Sequence, residues 1–74
     1  MPTFELRNRL RIAHEHSAAS LRRTAQLHEE AAEFWEQVHQ GDRAAEHRTA
    51  AAQYFERARH HDEQAQIFAK PREP

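Results

Sequence analysis

The side chains of this sequence best suited to chemistry are its seven histidines, His14, His16, His28, His39, His47, His60 and His61. Imidazole is the commonest protein ligand for transition metals and a ready proton carrier near neutral pH. A metal site in a helical bundle needs several such groups at one level, often as Glu-x-x-His on facing helices. One such triplet occurs, Glu36-Gln37-Val38-His39, with His47 close behind it. Glu36, His39 and His47 are therefore the candidate ligands for a divalent transition metal. Glu56 and His60 form a second pair at i, i+4, whereas His14-Glu15-His16 and His60-His61 put neighbouring side chains on different sides of a helix. Within one chain the histidines are expected to fall in separate layers, so such a site would have to be completed between chains.

Other chemistry finds little support. The sequence has no cysteine, hence no disulfide, thiolate ligand or Cys-x-x-Cys-His haem attachment. No glycine-rich phosphate loop is present, and no serine stands beside an evident base. No catalytic residue and no resident cofactor are expected, and the chain does not look like an enzyme. Eleven basic and twelve acidic residues give a net charge of −1. The charges are mixed along the chain, which disfavours nucleic acid as a partner. No apolar run approaches the roughly 20 residues that span a bilayer, and the N-terminus lacks the pattern of a signal peptide. A cytoplasmic protein without a membrane partner is the expectation.

The elements that must position the histidines are helices. Ala, Glu, Gln, Arg and Leu dominate, all strong helix formers, and there is a single glycine. Thr3 suits an N-cap, a first helix is expected over about 3–40, and Gly41-Asp42 supplies a left-handed stop and a new cap. A second helix follows over about 43–69, with a frayed tail at 70–74 after Pro71 breaks the pattern. Ser17 to Ser20 is the one soft point, where a short N-terminal helix (residues 3–16) would separate. The fold class is thus all-α, an antiparallel helical hairpin in a single domain.

An internal repeat at an offset of 33 residues supports this division. His14, Ala18, Leu21, Ala25, His28, Ala32 and Trp35 align with His47, Ala51, Tyr54, Ala58, His61, Ala65 and Phe68. Both series step by four and three, the spacing of a coiled-coil seam. Folding at Gly41-Asp42 makes the numbers of facing residues sum to about 82 or 83. That register sets Ala opposite Ala and each seam histidine opposite an apolar or aromatic residue, never another histidine. Buried seam histidines would also make the assembly respond to acid.

The same register leaves residues 3 to 13 without a partner, although they carry Phe4, Leu6, Leu10 and Ile12. Leu27, Phe34, Val38, Phe55 and Ile67 widen the apolar stripe beyond what one helix covers. Half of the apolar residues, fourteen of twenty-eight, are alanine, so a single hairpin has a thin core. These features predict a homodimeric four-helix bundle, with Phe4, Leu6, Leu10, Ile12, Leu27, Phe34, Phe55 and Ile67 at the interface. The function expected is that of a small non-enzymatic interaction module, a homo-oligomer or a binder of another protein's helix. The alternative is a His/Glu bundle with an inter-chain divalent metal.

Overall fold

The computed structural model describes residues 4–69, which form two α-helices, α1 (Phe4–Gln37) and α2 (Gly41–Ala69). They pack along each other as a hairpin of 58 × 16 × 13 Å. Its radius of gyration of 17.0 Å far exceeds the roughly 11 Å of a compact chain of this length. α1 is unbroken through Ser17–Ser20, so no separate N-terminal helix forms within the described residues. Neither helix is long and apolar enough to cross a membrane. The N-cap expected at Thr3 and the tail at 70–74 lie outside the described residues.

The turn differs from expectation, and hydrogen bonds show why. The Gln40 amide donates to the Trp35 carbonyl at 2.8 Å and the His39 amide to the Glu36 carbonyl at 3.0 Å. This nested pair closes a helix when the residue after its end is left-handed. That residue is His39, with φ at 60°, not Gly41. Histidine enters this region several-fold more often than most side chains. The Gln40 carbonyl already accepts from the Ala44 amide at 3.1 Å, so Gly41 and Asp42 lie in the first turn of α2. The acidic Asp42 suits that end of the helix.

Moving the turn moves the register. His14 touches both His61 and Phe68, and His28 touches both His47 and Tyr54. Each histidine therefore sits midway between two residues one heptad apart, and the numbers of facing positions sum to about 79. In this register Ala faces a large side chain: His14 lies level with Ala65, Ala25 with Tyr54, His28 with Ala51, and Trp35 with Ala44. The expected Ala-Ala layers are replaced by a small side chain opposite a large one in every layer.

The core is a row of methyl groups. Ala18, Ala25, Ala32, Ala44, Ala51, Ala58 and Ala65 are buried, and no large side chain is fully buried among the described residues. They recur every seven residues, so the helices approach closely along their whole overlap. The new register also shortens the overhang. Ala69 lies level with Leu10, so only residues 4–9 extend beyond the last described residue of α2. Even there, Arg7 donates through Nη2 to the Ile67 carbonyl at 3.5 Å.

Candidate functional site: paired histidines and an uncharged helix face

Four of the seven histidines meet in pairs across the seam. The Nδ1 atoms of His14 and His61 are 2.8 Å apart, and those of His28 and His47 are also 2.8 Å apart. In both pairs the ring centroids are 5.1 Å apart. The difference, 5.1 less 2.8 Å, is what two imidazole radii add when the nitrogens point straight at each other. Each pair is thus a linear hydrogen bond in which one Nδ1–H donates and the other Nδ1 accepts. Two imidazolium rings cannot make this bond, since neither would keep an acceptor. Aromatic rings flank both pairs: His14 stacks on Phe68 at 5.8 Å and His28 on Tyr54 at 5.4 Å.

The expectation that no seam histidine meets another is overturned, while the aromatic partners it assigned to His14 and His28 are present. The cause is geometric. A seam side chain inserts between two residues of the facing helix, so the series His47, Tyr54, His61 and Phe68 offers His14 and His28 one histidine and one aromatic ring each.

The three candidate metal ligands fall in different places. Glu36 pairs with Arg48 at 2.6 Å, and this hydrogen-bonded guanidinium, with its charge, holds the Glu36 carboxyl below the usual carboxylate range. His39 forms the turn, and His47 bonds to His28. Among the described residues no three His, Asp or Glu side chains converge as a metal cluster. Glu56, with Arg59 beside it, is likewise lowered and lies apart from the seam on the outer surface of α2. The surface grooves are shallow and open, as between Thr49, Ala52, Gln53, Glu56 and Arg57 on one face of α2.

The two flanks of the seam have different chemistry. On one, Arg22 pairs with Asp62 and Arg48 with Glu36, each across the two helices. Phe55, one heptad from both Arg48 and Asp62, lies on this flank and is 37% exposed. The opposite flank of α1 carries Leu6, Leu10, Ala13, Ser17, Ser20, Thr24, Leu27, Ala31 and Phe34, and Val38 continues it just past the helix end. These ten positions step by four and three without interruption, and none is charged, in a chain that is 31% charged. Leu27 is 64% exposed and Phe34 53% exposed, and Leu6 and Val38 are exposed as well. Hydrophobic residues singled out in the sequence thus fall into two groups. Leu6, Leu10, Leu27 and Phe34 share this stripe, whereas Phe4, Ile12, Phe55 and Ile67 lie off it. The stripe's continuity is missed when large apolar residues alone are counted, because Ala, Ser and Thr form its middle.

No family model, curated protein or solved structure matches the chain.

Proposed function

We propose that this chain is a non-enzymatic helical interaction module that works as a homo-oligomer, its hairpins joined into a four-helix bundle. The observation that carries this reading is the uncharged stripe on α1. A monomer would leave Leu6, Leu27, Phe34 and Val38 exposed to water on this one face, and exposed apolar residues grouped on one face mark interaction surfaces. Sedimentation of the full chain at micromolar concentration tests it, and a dimer or larger closed assembly is expected. Leu27→Glu places a charge on the stripe at a side chain that is 64% exposed, so it should yield a helical monomer. A wild-type monomer with full helicity would refute the homo-oligomer.

A second reading is favoured by the concentration of imidazole in two interhelical pairs. In it, a divalent transition metal is held between chains by histidine and glutamate. Glu36, His39 and His47 could join such a site, His47 through Nε2 while its Nδ1 stays bonded to His28. This reading requires that metal co-purify and that zinc, nickel or copper raise the melting temperature. Unchanged stability and assembly after chelation would remove it.

A further inference from the structure

We infer that the uncharged stripe of α1 binds the same stripe of a second copy, antiparallel, about a two-fold axis level with residue 22. This inference rests on the homo-oligomer reading and specifies its contact. Antiparallel helices pack with facing positions of constant numerical sum, as the hairpin itself does. For the stripe that sum is 44, and it exhausts all ten positions. Leu6 meets Val38, Leu10 meets Phe34, Ala13 meets Ala31, Ser17 meets Leu27 and Ser20 meets Thr24. Large residues close both ends, Ala faces Ala further in, and hydroxyl residues sit at the axis.

The Thr24 hydroxyl does not oppose burial. The Thr24 hydroxyl already donates to the Ser20 carbonyl one turn earlier, at 3.2 Å, so it needs no partner from the second chain. Charge decides the direction of pairing. Beside the stripe run Arg9, His16, Arg23, Glu30 and Gln37, one heptad apart. A parallel pair would set each of these against its own copy, Arg9 on Arg9 and Glu30 on Glu30. The antiparallel pair brings His16 level with Glu30 and Arg9 level with the C-terminal turn, and leaves Arg23 alone beside its copy. Antiparallel helix dipoles also attract.

The total exposed surface is in keeping with a covered face. The hairpin exposes 5908 Å², whereas a folded protein of 8.7 kDa exposes about 4,700 Å². The excess, about 1,200 Å² per chain, belongs to the whole elongated surface and leaves room for a covering partner. Doubled, it exceeds the roughly 1,600 Å² of a standard stable interface.

The chain has no cysteine, so single cysteines report the contact directly. Ala13→Cys and Ala31→Cys alter the layer where the backbones come closest, within reach of a disulfide. Equimolar full-length variants, mixed, annealed and oxidised, should give the mixed disulfide between positions 13 and 31 about tenfold over the two symmetric ones. Symmetric disulfides in excess would overturn the antiparallel register while leaving the dimer intact. A dimer by light scattering that forms none of the three would place the contact off the stripe and overturn the inference. A monomer by light scattering would overturn both the inference and the homo-oligomer.

Discussion

Replacing Ala25 by leucine tests the close approach of the helices more sharply than any other single change. Ala25 is fully buried, lies level with Tyr54 and stands one layer from the His28–His47 bond. Leucine adds three heavy atoms where the backbones nearly touch. If the helices stayed in place, the strain would cost about 1–3 kcal/mol. If they parted to admit the side chain, leucine would regain up to about 2 kcal/mol of burial. Parting by even about 1 Å, however, would stretch the 2.8 Å Nδ1–Nδ1 bonds past the range of a hydrogen bond. The first route loses stability, and the second regains at most what the two broken bonds, about 1 kcal/mol each, take away; on the order of 4–8 °C in Tm is lost per kcal/mol at this chain length. A fall of roughly 10 °C is therefore expected in circular-dichroism melts at fixed protein concentration. Ala19→Leu, on the exposed face of the same helix, controls for propensity and should leave Tm nearly unchanged. An Ala25→Leu variant that melts at or above the wild-type temperature would refute the methyl-row core.

Three further outcomes follow from the geometry. His39→Gly relieves a left-handed side chain, and chemical denaturation should show a gain of about 1 kcal/mol; a loss would mean that the His39 ring makes contacts worth more than its strain. A double-mutant cycle on His28→Ala and His47→Ala should give a coupling of about 1 kcal/mol, the net worth of one hydrogen bond, and additivity would deny the pair. Glu36 is exposed and held below its ordinary value by Arg48, so any stability it adds is present above the ordinary carboxylate range. That contribution disappears as pH falls through the lowered value, and because the pair is solvated, Glu36→Gln should leave Tm at about pH 7 unchanged.

The helical hairpin was legible in the sequence because helix propensity and a period of seven agree over both halves. Ala18, Ala25, Ala32, Ala51, Ala58 and Ala65 could all be named from spacing alone, and all are buried. The register was not legible, for a physical reason. A strict heptad repeat looks similar after any slide of one layer, so only the turn fixes the alignment. The turn depends on a left-handed His39, where glycine is the usual choice, and moving it by two residues moves every facing pair by about four. The histidine pairs were lost with the register. Of the interface candidates, Leu6, Leu10, Leu27 and Phe34 fall on one continuous stripe. Phe4, Ile12, Phe55 and Ile67 lie elsewhere, because large size alone does not mark a helical face.

The hairpin's single seam also dictates how the chain can reach its structure. Trp35 and Ala44 are the facing layer nearest the turn, and closing a loop of about ten residues takes on the order of 10–100 ns. Each later layer is then already held close by the one before it, so almost no new loop entropy opposes it. Assembly should run as a zipper from His39 outward, and opening should begin at Phe4 and Ala69. Amide exchange is accordingly expected to slow steadily from that open end toward the turn. The turn would then be the nucleus of folding as well as the setter of the register.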